Sequence, residues 1–182
     1  MGKKVYVVRH CEAAGQPSKS PLTDRGVEQA KELAGFFEDV KVDRIISSPF
    51  VRAIQSIEPT AEQKGIKLET DQRLSERVLS TLDLPDWLDR LKAAFDDLDL
   101  KIEGGESSRE AMNRAVSVLE YVLQCEAENT VIVSHGNLIA LLLKYYQPDF
   151  GFEQWKNLSN PDVFLLKIHQ NNNVSVERLW RS

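Results

Sequence analysis

The chain has 182 residues, 42% of them hydrophobic and 28% charged, with a net charge of -5. That is enough for one well-packed domain of ordinary soluble composition. The negative balance argues against general binding to nucleic acid or to anionic membranes, while leaving room for a small anionic ligand held by a local cluster of arginines. Two cysteines, Cys11 and Cys125, are too few for a disulfide framework and fit a reduced, cytoplasmic setting. Met1-Gly2-Lys3-Lys4 leads into only four apolar residues, short of a signal-peptide core. Position 6 is Tyr rather than the Ser or Thr of a myristoylation signal, and no apolar run approaches a membrane span.

In chain order, Val5–Val8 reads as a short buried strand. A turn-rich stretch from Gly15 to Pro21 follows. Thr23 is placed to cap a helix whose apolar positions Val27, Ala30, Leu33, Ala34 and Phe37 recur at three and four. Asp43–Ser47 reads as a second strand, and Ser48-Pro49 as the cap and first residue of a helix reaching about Lys64. Lys67–Thr70 is a minor strand. Leu84, Leu88, Leu91, Phe95 and Leu98 make a helical stripe, broken at Gly104-Gly105. Ser107-x-x-Glu110 is a capping-box pattern, opening a helix with Met112, Ala115, Val116, Leu119, Val122 and Leu123 inward. Val131–Val133 is a third buried strand, and Gly136 to Tyr146 a helix. Val163–Ile168 and Val174–Leu179 form a strand pair across Asn171-Asn172-Asn173. The alternation predicts an α/β fold of three layers, α/β/α, with a mostly parallel mixed sheet. It is a single domain over residues 1–182, in which about 75–104 makes a small helical cap over the strand ends.

Three strand ends carry chemistry, as open α/β sheets place ligands there. The first delivers Arg9 and His10. The second delivers Ser47-Ser48-Pro49, with Arg52 in the next helical turn. The third delivers Ser134-His135-Gly136-Asn137. Arg presents a planar donor fork suited to phosphate, and a neutral His can attack phosphorus or move protons. Helix N-termini add free amides, so Arg9, Arg52 and His135 are expected to converge with those amides on one phosphoryl group around His10.

These segments, with Leu74-Ser75-Glu76-Arg77, Gly104-Gly105-Glu106-Ser107 and Pro21-Leu22-Thr23-x-x-Gly26-x-x-Gln29-Ala30, occur in an order that resembles the histidine phosphatase superfamily, the phosphoglycerate-mutase-like group. The resemblance runs from about Lys4 to the terminal hairpin. It implies a phosphoglycerate-mutase-like fold and two-step phosphoryl transfer through a phosphohistidine on His10. Arg9, Arg52 and His135 would hold the phosphate, and Glu76 would serve as proton donor and then base. It implies no metal and no cofactor, and no metal-ligand cluster is visible in the sequence. The partner implied is a small phosphorylated metabolite or other phosphomonoester.

The sequence departs from that pattern at Cys11, at Gln16 and in the segment between Gln16 and Pro21, which is short compared with the mutases. Cys11 stands where the family usually has Gly, and Gln16 stands at the spacing of its phosphate-binding Asn. Gln16 is either a phosphate ligand or a loop residue. Asn137 presents either its side chain or its backbone to the ligand, and a carboxylate between Leu82 and Asp89 is an alternative to Glu76. Glu106 and Ser107 read first as helix-capping residues, and His169 as structural. Neither cysteine is followed by Arg at the tyrosine-phosphatase spacing, so Cys11 is not read as a nucleophile. The leading function is a metal-independent phosphomonoesterase. The alternatives are a cofactor-dependent phosphoglycerate mutase and a non-catalytic phospho-ligand-binding regulatory domain.

Overall fold

A computed structural model describes residues 2–181. Its strands are β1 (Lys3–Arg9), β2 (Arg44–Ser47), β3 (Leu68–Thr70), β4 (Asn129–Ser134), β5 (Asp162–Ile168) and β6 (Val174–Arg178), in one sheet ordered β3-β2-β4-β1-β5-β6. The first four are parallel; β5 runs antiparallel to β1, and β6 to β5. The helices are α1 (Asp24–Phe37), α2 (Val51–Lys64), α3 (Trp87–Asp96), α4 (Ser108–Gln124), α5 (Gly136–Tyr146) and α6 (Phe152–Lys156).

Side chains alternate across the pleat, and the two faces build two cores. Val5, Val7, Ile46, Ile132 and Leu166 pack with Leu91, Leu119 and Leu141 from α3, α4 and α5. Val8, Ile45, Val131, Val133 and Val163 pack with Leu33, Phe37 and Ile57 from α1 and α2. This is the three-layer arrangement expected of near-continuous apolar strands. Register decides where the polar strand ends fall: Arg9 lies opposite both Ser134 and Asp162, and Ser47 opposite Val133. The carboxyl ends of β1, β2 and β4 are therefore level.

Local signals worked where a cap specified a boundary. Thr23 Oγ1 accepts from the Gly26 amide at 3.0 Å, and Ser107 and Glu110 form the reciprocal capping box. Several expectations need correction. Ser48 is not a helix cap: α2 begins at Val51 after Phe50, because the Ser48 hydroxyl accepts from the Phe50 amide and bonds His135. Val27 faces outward on α1, 45% exposed. The Leu84–Leu98 stripe contains only ten helical residues, with Leu91 and Phe95 inward and Leu88 exposed. Pro85 disfavours helical backbone at Leu84, which delays the start. Helix α6 has five residues, too few to show a period, and β6 stops at Arg178. Among the described residues no helix is long and apolar enough to cross a membrane.

Candidate active site

His10 follows β1 and is 9% exposed. Its Nδ1 lies 2.7 Å from the Cys11 carbonyl oxygen. A carbonyl only accepts, so Nδ1 carries the proton and the neutral ring keeps its lone pair on Nε2. The Nε–H of Arg52 points at that lone pair from 3.3 Å. Arg52 is 2% exposed, and its Nη1 donates to the carbonyls of Gln16 and Pro17 at 3.0 and 2.8 Å.

His135 is fully buried. Its ring centroid stands 5.1 Å from that of His10, and its Nε2 meets Ser48 Oγ at 2.8 Å. Arg9 donates through Nη1 to the carbonyls of Leu158 and Ser159. Among the described residues, Arg9 Nε and His135 Nδ1 are buried without a hydrogen-bond partner. Three cationic or imidazole groups thus surround His10, two of them with polar atoms uncommitted to protein.

Glu76 sits elsewhere than a free acid would. Its Oε1 accepts from the amides of Leu138 and Arg77 at 2.9 and 2.8 Å, and its Oε2 from the Asn137 amide at 3.2 Å. The first-turn amides of α5, expected to face phosphate, are given to this carboxylate instead. The attraction is the usual one between an anion and a helix N-terminus. The turn bearing Glu76 is braced from α4. Arg114 donates to the carbonyls of Arg73, Ser75 and Glu76 and pairs with Glu106 through two contacts of 2.8–2.9 Å. Glu106 also accepts from the Val78 amide. Glu106 is thus a brace for this turn rather than a helix-capping residue. Arg114 and Ser56 had no local sequence signal, since each matters through a partner remote in the chain.

Arg9, Gln16, Glu76 and Asn137 line a cleft of about 450 Å³, together with Arg77, Leu79, Trp87, Leu91 and Trp155. His10, Arg52 and His135 lie deeper and do not form its wall. Gln16 is exposed at the rim, while the Asn137 side chain is buried, with Oδ1 unpartnered among the described residues. Asp83, Asp86 and Asp89, the alternative acids, do not line the cleft; Asp86 pairs with Arg90. His169 lies outside it, bonded to Ser175. Cys11 packs wholly in the core against α1 and α2, and its amide donates to Ser56 Oγ. Burial pushes its thiol up to about 11, which keeps it protonated. Both cysteines are free.

Burial, helped by the charges of Arg9 and Arg52 and opposed by the Cys11 carbonyl, pushes the His10 imidazole down from 6.5 to about 4. The unfolded chain then binds more protons than the folded one between those values. The folded state keeps its full stability from this source above pH 6.5 and loses it progressively as pH falls towards about 4. Burial shifts His135 in the same direction. Urea unfolding should show wild type losing more stability between pH 7 and 4.5 than His10→Asn, whose amide can still donate to the Cys11 carbonyl; parallel losses would count against the assignment.

Gly136 permits the close approach of Arg9: a Cβ there would meet Arg9 Nε and Nη2 at 3.0 Å. Gly136→Ala is expected to displace the guanidinium by a few tenths of an ångström and to lower kcat/KM by roughly tenfold. Steady-state kinetics with inorganic phosphate as competitor would check this, since its inhibition should weaken in parallel.

The chain matches the histidine phosphatase superfamily (branch 1) over residues 5–181. It is 33% identical to a probable phosphoglycerate mutase, GpmB, of Proteus mirabilis over 157 residues, 77% of this chain and 73% of that protein. It is 28% identical to a putative phosphoserine phosphatase 2 of Hydrogenobacter thermophilus over 182 residues, covering 92% and 89%. The fold superposes on a mycobacterial glucosyl-3-phosphoglycerate phosphatase with a TM-score of 0.78, at 22% identity and full coverage of both chains. The protein is a member of the histidine phosphatase superfamily, whose relatives here include both phosphatases and a mutase-like protein.

Proposed function

We propose that this protein is a metal-independent phosphomonoester hydrolase acting through a phosphohistidine on His10. The observation that carries the reading is the orientation of His10, with Nδ1–H held by the Cys11 carbonyl and the Nε2 lone pair turned towards Arg52. In this reading Arg52 turns its Nε–H from Nε2 to the incoming phosphoryl oxygens, joining Arg9 and His135. Nε2 attacks phosphorus, the ester P–O bond breaks, and Glu76, which enters this step protonated on Oε2, the oxygen that holds a single amide, gives that proton to the leaving oxygen. The positive charge left on the phosphorylated ring is stabilised by the unchanged Nδ1–H bond to Cys11. Glu76 then takes a proton from water as it attacks phosphorus, the P–N bond breaks, and neutral His10 returns. Two arginines supply the charge that opposes the transition-state oxygens. Gln16 and Asn137 border the phosphoryl subsite, and residues 75–104 act as the cap of a single domain.

Similarity to the Proteus mirabilis protein supports a second reading, a mutase that returns the phosphoryl group to a bound intermediate. Incubation with p-nitrophenyl phosphate and, separately, with 3-phosphoglycerate plus bisphosphoglycerate separates the two. Phosphate release from the first with little isomerisation of the second is expected. Efficient isomerisation with little phosphate release would overturn the hydrolase.

A further inference from the structure

Beyond the phosphoryl subsite the cleft changes character. Its outer wall is Leu79, Trp87, Leu91 and Trp155. Trp87 is half exposed, beside the exposed apolar residues Val78, Leu82 and Leu88 of the same connection. Trp155 is partly buried, its ring stacked on Phe152. The cations on the cleft wall, among the described residues, are Arg9 and Arg77. Arg9 belongs to the phosphoryl end. Arg77 is engaged with neutral protein acceptors: its Nε and Nη2 donate to the Glu106 carbonyl at 3.3 and 3.0 Å, and its Nη1 to Ser108 Oγ at 3.1 Å, so each of its three nitrogens already holds a partner. Its guanidinium is held in protein, with the residue 6% exposed.

A substrate carboxylate placed against Trp87 and Trp155 would lose water against indole, and pairing with Arg77 would compete with the bonds that already hold its three nitrogens, which is unfavourable. A flat apolar group would instead gain area and stacking against indole. We propose that the physiological leaving group is an uncharged alcohol carrying a planar apolar group, seated against Trp87 and Trp155. This selects against phosphorylated hydroxy acids and amino acids. The inference rests on the hydrolase reading for its chemistry, though the binding preference stands by itself.

The test compares alkyl phosphates, so that leaving-group reactivity does not decide the outcome: 2-naphthylmethyl phosphate, O-phosphoserine and 3-phosphoglycerate. The aromatic ester is expected to exceed both acids in kcat/KM by about a hundredfold, and Trp87→Ala to reduce that preference about tenfold, mainly through KM, with Trp87→Phe restoring most of it. Trp87→Arg should narrow the gap to 3-phosphoglycerate by supplying the missing cation. Equal kcat/KM for the three esters, or a preference untouched in Trp87→Ala and Trp155→Leu, would overturn the proposal while leaving the hydrolase intact. Binding of the same compounds to His10→Ala, read by tryptophan fluorescence, keeps the two claims apart. A naphthylmethyl preference there without turnover in wild type supports the pocket and defeats the hydrolase. Equal binding of all three defeats the pocket.

Discussion

His10→Ala is expected to lower phosphomonoester turnover by at least about 10⁴-fold, the scale seen when a covalent nucleophile is removed. The loss has a specific origin. Among the described residues the Cys11 thiol does not replace the Nε2 lone pair, because it lies in the core and stays protonated. His135 is 5.1 Å away, ring to ring, and its Nε2 is held by Ser48. Truncation also frees the Cys11 carbonyl from its Nδ1 partner, a cost of order 1 kcal/mol, so circular dichroism and urea unfolding should show a folded protein. Rapid quenching of wild type during turnover should trap a phosphoryl adduct that is acid-labile and base-stable and that is missing from the variant. An acid-stable adduct, or near-normal activity in His10→Ala, would defeat the assignment.

Glu76→Gln carries the second large effect. Loss of a general acid costs about 10²–10⁴-fold where the leaving oxygen needs its proton. The loss should be large for an alkyl phosphate and much smaller for p-nitrophenyl phosphate, whose leaving group departs as a stable anion. A single uniform loss for both esters would mark Glu76 as a positioning residue only. The substitution has a structural side as well. Both carboxylate oxygens accept amides from the start of α5 and its own turn. A glutamine amide brings a donor against donors there. Some stability should therefore be lost, of order 1–3 kcal/mol for the unsatisfied group. Glu76→Asp provides the control: it keeps the acid but shortens its reach, and any recovery should appear for the alkyl ester.

The parts of the site that were legible in the sequence share one physical basis. Arg9 and His10 follow an apolar run, Ser47 and Arg52 follow another, and His135 follows a third. Strand ends in a parallel sheet are where side chains meet ligands. Glu76 was legible only through family resemblance, because nothing in Leu74-Ser75-Glu76-Arg77 shows a period or a partner. The brace that holds it, Arg114 with Glu106, spans two elements with no local pattern. At Ser48 a local pattern exists but a remote partner overrides it. A Ser before Pro is a good local helix cap, but its hydroxyl is drawn to His135, 87 residues later.

The sequence by itself determined the α/β layering, a mostly parallel mixed sheet, and Arg9, Arg52 and His135 as the groups around His10. These rest on apolar periodicity and on residue types whose chemistry needs no context. Tertiary structure decided the rest. It set the tautomer of His10 through the Cys11 carbonyl and sent the Cys11 side chain into the core rather than the cleft. It gave the α5 amides to Glu76, and it engaged Arg77 with the Glu106 carbonyl while leaving Trp87 and Trp155 on the wall. Each of these is a competition between partners distant in the chain, settled by register and burial, and no local pattern records which partner wins.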